Sequence, residues 1–199
     1  MGITLNRVRS LCLALPVALI ALAVVSSSAG AQQYRPEPQG DDIAYLQLGA
    51  VSELVTLELF RSAAHSKALG ASEKGTFKRL ADQTAKGWIK LNSLLGEGAI
   101  SREIFTVKIP AGVLKSRAKT VALATRFEKL LAGLYLGGVE STIDPPTRLL
   151  IGRHLTTSAR DLSVLEDLRG GRPSMLAPKP LSVEYVGEQF ERYLAIPGS

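Results

Sequence analysis

Apolar residues recur every three or four positions in four long stretches of the chain, which is the spacing typical of amphipathic helices. Gly or Pro punctuates each stretch, and a shorter stretch of the same kind follows near the end. The pattern predicts four long helices and one short helix, over residues 43–69, 72–95, 114–139, 146–168 and 182–194.

The lengths of the connections predict how these helices are arranged. Short links join the first helix to the second and the third to the fourth, whereas residues 99–112 form a long connection in the middle, with a strand-like piece at 104–109. One long crossover between two helical hairpins is typical of ferritin-like bundles. The sequence therefore predicts an all-α, ferritin-like four-helix bundle over 43–171, followed by a Pro-rich segment and a short C-terminal helix over 172–199.

Local signals predict where two of the helices start. Asp41 or Asp42 is placed to cap the first helix. Asp144 is placed to cap the fourth, with Pro145 and Pro146 at its first positions.

The first 31 residues have the order of a secretory signal peptide. Arg7 and Arg9 precede an apolar run at 11–25, and Ala29-Gly30-Ala31 forms a small-residue cleavage pattern. A membrane anchor is the alternative, but the run is shorter than the ~20 residues that span a bilayer and contains a proline. We expect a periplasmic or secreted protein with a flexible leader at 32–42 and no stable membrane span after cleavage.

Composition limits the remaining classes of function. The chain has one cysteine, Cys12, which cleavage would remove, so the stability of the exported protein must come from its core and not from disulfides. The formal charge of +6 is spread along the chain, without a basic stripe interleaved with aromatic residues. We therefore expect no nucleic-acid partner, whereas a protein partner, of unknown identity, remains compatible with the sequence.

Several ionisable residues lie on helix faces that should be buried. Glu53 falls on the apolar stripe of the first helix, Glu128 on that of the third, and His154 and Asp161 on that of the fourth. A buried carboxylate is costly unless it is paired, protonated or bound to metal. Two interpretations stay open: these residues ligate a metal, or they belong to a vestigial polar network satisfied by Arg, Lys, Thr, Tyr or water.

Four segments together resemble one known family. "LQLGAVSELVTLELFRSAA", "RFEKLLAGLYLGG", "SARDLSVLEDLRGG" and "LAPKPLSVEYV" are similar, in order and spacing, to the bacterial secreted ferritin-like domain proteins of the desiccation-related type. The resemblance covers nearly the whole chain after the leader. It implies a bundle that holds iron or manganese between its four helices.

The resemblance also implies which positions should hold the metal. Glu53 and Glu128 match ligand glutamates of the family. The positions of the two remaining Glu and His pairs carry Thr84 and Gly87 in the second helix, and Ser158 and Asp161 in the fourth. Most of the implied di-metal ligands are therefore missing.

The expectation is an exported bundle that has lost its di-metal centre, needs no cofactor and acts as a non-catalytic stress- or envelope-associated structural or interaction protein. The alternative is an iron or manganese protein with a reduced site of Glu53, Glu128, Asp161 and His154. A third class is a bundle that admits a small hydrophobic ligand beside Trp88, Leu91 and Leu131.

Overall fold

The computed structural model describes residues 40–171 and 178–195, and most of this part of the chain is helical. The helices are α1 (Asp41–Ala64), α2 (Ala71–Leu95), the one-turn α3 (Ala111–Leu114), α4 (Arg117–Ser141), α5 (Pro145–Leu168) and α6 (Val183–Glu191). A 3₁₀ turn follows α2 at Gly96–Gly98, and two short strands lie at Thr106–Val107 (β1) and Leu194–Ala195 (β2). The predicted all-α class is confirmed. The predicted signal peptide, most of the leader and part of the Pro-rich segment lie outside the described residues.

Two helical hairpins form the bundle. α1 packs along α2, α4 packs along α5, and α1 and α4 pack against each other to join the hairpins. Leu46, Ala50 and Leu57 of α1 and Val121 and Leu131 of α4 are almost completely buried, and they belong to one continuous core. The core thus lies mainly between α1 and α4, while α2 and α5 approach each other less closely.

The C-terminal segment closes the outer side of the α1 and α4 pair. Phe190 of α6 is buried against Phe127 of α4, with ring centroids 4.9 Å apart. Just before α6, the backbone N–H of Leu181 donates to the carbonyl oxygen of Gly133 at 2.9 Å. A Cβ atom at Gly137 would lie 2.5 Å from the Leu181 carbonyl oxygen, so this close approach requires glycine in α4.

The predicted cap of α5 is confirmed, and that of α1 is wrong. Asp144 accepts the backbone N–H of Thr147 at 2.9 Å, with Pro145 and Pro146 in the first turn. α1 begins after Gly40, and Asp42 accepts the backbone N–H groups of Ile143 and Asp144 at 2.8 and 3.1 Å. Asp42 is already inside the helix, so its carboxylate binds the link between α4 and α5 instead of its own helix terminus.

Three other helix boundaries differ from those that the sequence pattern predicts. α1 ends at Ala64, and the hydroxyl of Ser66 then donates to the Leu114 carbonyl at 2.7 Å. The predicted third helix is divided, because Ser116 caps a new helix, α4, directly after α3. The strand-like piece is confirmed at β1, and its antiparallel partner β2 occupies the predicted end of the last helix.

α1 alone among the helices of the described residues is long and apolar enough to cross a membrane, with a mean hydropathy of 1.4. The central helix of a packed bundle has the same length and composition, and 67% of this apolar stretch is buried inside the fold.

We predict that Gly137→Ala destabilises the protein by about 1 to 3 kcal/mol, because the added methyl group overlaps the Leu181 backbone. Urea unfolding followed by circular dichroism measures this change. Gly152→Ala in α5 is the matched control, since its nearest neighbour would be Val139 at 3.8 Å, and it should be neutral or slightly stabilising. Equal stabilities of the two variants would show that the Leu181 segment does not require glycine in α4.

Candidate functional site: a polar pocket between α2 and α5

A pocket of about 460 Å³ opens between α2 and α5 and reaches the inner helices. Glu53 of α1 and Glu128 of α4 form its inner wall. α2 contributes Gln83, Thr84 and Gly87 to its sides, and α5 contributes His154, Ser158 and Asp161. The structure therefore brings together the four residues that the sequence singled out, Glu53, Glu128, His154 and Asp161.

Helical spacing explains how α5 presents its three side chains to the pocket. His154, Ser158 and Asp161 are separated by four and three residues, so they lie one above the other on one face. All three are buried, although each is polar. Because α2 does not pack closely on this face, the polar side chains border a pocket and not a sealed core.

Glu53 is held by two hydrogen-bonding partners. The Tyr135 hydroxyl donates to Oε1 of Glu53 at 2.7 Å, and His154 Nδ1 lies 3.1 Å from the same oxygen. Burial, followed by the negative charge of Glu53, raises the pKa of Tyr135 well above its usual value. Tyr135 therefore keeps its proton and remains a donor. The hydroxyl of Tyr135 thus links α4 to the Glu53 carboxylate of α1.

The glycine at position 87 makes room for the His154 imidazole. A Cβ atom at Gly87 would lie 2.9 Å from Cε1 of His154, which is closer than real Cβ contacts. The family resemblance implies a histidine at position 87. In this chain an imidazole from α5 lies against that position and reaches Glu53 from the opposite side of the pocket.

Glu128 is the least satisfied of the acidic groups. Its side chain is 2% exposed, and its Oε2 has no hydrogen-bond partner among the described residues. Burial raises the pKa of Glu128 well above its usual value, and the negative charges of Asp161 and Glu53 raise it further, while hydrogen bonding with Ser158 acts in the opposite direction. The neutral acid is thus the favoured form.

Asp161 is held by a glutamine from across the pocket. Nε2 of Gln83 donates to both carboxylate oxygens of Asp161, at 3.2 and 3.1 Å, and Arg160 donates to Oε1 of Gln83 at 2.7 Å. Burial raises the pKa of Asp161 to about 6, although Arg160 and Gln83 favour the charged form.

The mouth of the pocket is basic. α2 and α5 place five exposed cations around it, together with a single exposed acid, Asp82: the cations are Arg79, Lys86, Lys90, Arg153 and Arg160. Within residues 40–171 and 178–195, none of the five forms a salt bridge. Charge is therefore ordered along the depth of the pocket, with cations outside and carboxyl groups inside.

The pocket residues do not fit a di-metal centre. In the described part of the chain no group of three or more His, Cys, Asp or Glu side chains is arranged to hold a metal ion. Thr84, Gly87 and Ser158 supply neither carboxylate nor imidazole, and both oxygens of Asp161 already accept hydrogen bonds. Iron or manganese bound at a reduced site of Glu53, Glu128, Asp161 and His154 stays a prediction.

The sequence did not reveal two features of this pocket. The apolar pattern contains no sign that Gln83 pairs with Asp161, and the positive charge, which we expect to be spread along the chain, is concentrated at the mouth of the pocket. A helical projection of α2 contains the missing signal, because Arg79, Gln83, Lys86 and Lys90 recur at four- and three-residue intervals on one face. The expected hydrophobic lining residues, Trp88, Leu91 and Leu131, do not border this pocket.

Comparisons of the chain with protein-family models, with curated proteins and with solved structures found no match. The resemblance to ferritin-like proteins therefore depends on the four sequence segments alone.

We predict that Asp161→Asn changes the pH dependence of stability. The pKa of Asp161 is higher in the folded protein than in the unfolded chain, so protonation of this carboxyl stabilises the fold. This stabilisation is fully present below about pH 4 and is lost as the pH rises through about 6. Relative to the wild type, Asp161→Asn should gain on the order of 2 to 3 kcal/mol across this interval. Urea unfolding at several pH values measures the difference, with Asp82→Asn as a control for removing an exposed carboxylate. A difference that does not vary with pH would contradict the prediction.

We also predict that Gly87→Ala displaces the His154 imidazole from Glu53. Alanine in a helix is favoured over glycine by roughly 1 kcal/mol, but the new methyl group overlaps Cε1 of His154. The control, Gly75→Ala in the same helix, has its nearest neighbour at 4.0 Å and should show the full gain. Gly87→Ala should show less, together with shifted imidazole nitrogen signals of His154 in NMR spectra. Unshifted signals would show that the glycine is not what admits the imidazole.

Proposed function

We propose that this protein is an exported ferritin-like bundle that works without a di-metal centre, as a non-catalytic structural or interaction protein of the stressed cell or its envelope. The observation that carries the proposal is the state of Glu53. Its Oε1 accepts the Tyr135 hydroxyl and contacts His154, so protein groups take the place that a metal ion would need.

The other acidic residues support the same interpretation. Asp161 is bound through both oxygens by Gln83, and the neutral form of Glu128 is favoured by burial. Buried polar groups that are hydrogen-bonded or neutral can persist in a core without a metal ion. This is the arrangement expected of a bundle that has kept its interior glutamates and lost their metal.

The arrangement of the helices supports the ferritin-like part of the proposal. Two hairpins, α1 with α2 and α4 with α5, are separated in sequence by the long connection that contains β1. One acidic residue from each inner helix, Glu53 and Glu128, faces the same interior pocket. Export is inferred from the features of residues 1–31.

An exposed apolar surface supports a role in protein interaction. Ile143 is 84% exposed in the link before α5, and Leu149 is 58% exposed in the second turn of α5. Leu149 also borders a shallow surface hollow of about 500 Å³, together with Val139 and Pro145. Exposed apolar side chains beside a surface hollow are typical of contact surfaces.

A second candidate function is binding of a single iron or manganese ion. The observation that favours it is the 3.1 Å contact between Glu53 Oε1 and His154 Nδ1, in the same pocket as Glu128 and Asp161. Carboxylate and imidazole are ligands that these ions accept. In this alternative, Tyr135 and Gln83 would have to release the acidic oxygens.

We predict that the protein binds no stoichiometric metal. Protein purified from the exported fraction, before and after incubation with Fe(II), Mn(II) or Zn(II), is analysed by mass spectrometry for metal content. Glu128→Gln is compared with Glu140→Gln, which removes an exposed carboxylate from the same helix. We expect the same low metal content in all three proteins, because the pocket acids are already hydrogen-bonded or neutral. Stoichiometric metal that disappears only in Glu128→Gln would replace the proposal with the second candidate.

A further inference from the structure

We propose that the pocket between α2 and α5 binds a small zwitterion, with its ammonium end against Glu128 at the inner wall and its carboxylate end among the cations of the mouth. This inference goes beyond the proposed function. It starts from two observations that the proposed function leaves unexplained: the unpartnered Oε2 of Glu128, and the ordering of charge from the mouth inward.

The inner wall lacks a donor that carries positive charge. Glu53, Glu128 and Asp161 border one pocket, and none of the salt bridges among residues 40–171 and 178–195 joins them to lysine or arginine. Glu53 is hydrogen-bonded by a tyrosine and a histidine, and Asp161 by a glutamine. Burial in the pocket favours the protonated form of Glu128. An ammonium group carries three donors and a positive charge, so its arrival beside Glu128 favours the carboxylate, which loses its proton and accepts from the ammonium through Oε2.

The cations at the mouth of the pocket can bind the carboxylate end of the ligand. Lys86 and Lys90 of α2 face Arg153 of α5 around the opening, and all three are exposed and without an ion pair in the described part of the chain. A guanidinium group binds a carboxylate through two parallel hydrogen bonds, and lysines add positive charge beside it. A ligand carboxylate would therefore be held at the opening and would stay away from the inner acids.

The order of charges selects against simpler ligands. A plain anion is attracted to the mouth but repelled by the inner acids, and a plain amine or metal ion must first pass the cations. An apolar ligand would leave Oε2 of Glu128 without a partner. The volume of about 460 Å³ lies in the range of pockets for small organic molecules. A molecule with opposite charges at its two ends meets all of these conditions.

Isothermal titration calorimetry tests the proposal with matched probes. Chelator-treated protein near neutral pH is titrated with γ-aminobutyrate and with 6-aminohexanoate. Each is compared with its two half-ligands: butyrate and butylamine for the first, hexanoate and hexylamine for the second. We expect at least one amino acid to bind roughly tenfold or more tightly than either of its half-ligands. Each half-ligand lacks one charged end and therefore the charge-assisted hydrogen bonds that this end makes.

Paired variants test each end of the pocket. Glu128→Gln should weaken binding of the amino acid roughly tenfold, whereas Glu140→Gln should leave it unchanged. Lys86→Gln should weaken binding and reduce its dependence on salt, whereas Lys78→Gln, in the same helix but outside the pocket, should do neither. Urea unfolding of every variant verifies that a loss of binding does not reflect a loss of folding.

Three outcomes would overturn the inference. They are the absence of binding by both amino acids, equal affinity for an amino acid and its amine half-ligand, and binding that Glu128→Gln and Lys86→Gln do not weaken. Metal content is measured separately and bears on the proposed function. Because the titrations use chelator-treated protein, a positive metal result leaves the outcome for the zwitterion intact.

Discussion

The cost of burying carboxyl groups governs the interior of this protein. Glu53, Glu128 and Asp161 come from three different helices and border one pocket, where water cannot fully solvate them. Such groups persist only if donors reach them or if they stay protonated. Glu53 has Tyr135 and His154, Asp161 has Gln83, and for Glu128 the protonated form is favoured. The donors of Glu53 and Asp161 each come from the other hairpin, so these two acids tie the hairpins together.

The division of the bundle into two kinds of helix follows from this requirement. α1 and α4 carry the continuous apolar core and pack on each other, with glycine in α4 allowing the Leu181 segment to approach. α2 and α5 carry polar side chains toward the same interior and stay further apart. A smaller residue, Gly87, then lets an imidazole cross the space between them. The pocket is the consequence of placing polar groups where a bundle would otherwise close.

The apolar periodicity within each helix predicted the long helices and four residues of the pocket. The features that it did not predict depend on contacts between residues far apart in sequence. The 3.6-residue period located the four long helices and placed Glu53, Glu128, His154 and Asp161 on buried faces, because period and burial are encoded within one helix. The roles of Asp42 and Gln83 depend on residues far away in sequence, Ile143 and Asp161, and no local pattern contains that information. The same holds for the pairing of β1 with β2, whose residues alone are too few to specify a strand.

The pairing of β1 with β2 has a consequence for the order in which the chain becomes structured. β1 lies in the connection between the two hairpins, and its partner lies near the C-terminal end of the chain, at Leu194–Ala195. During synthesis from the N-terminus, the connection emerges long before the residues that pair with it. Both hairpins can form from neighbouring segments, but the connection acquires its partner strand only after Leu194 and Ala195 have been synthesised. A chain that stops before Leu194 can therefore form every long helix while the connection between the hairpins lacks the partner strand of β1.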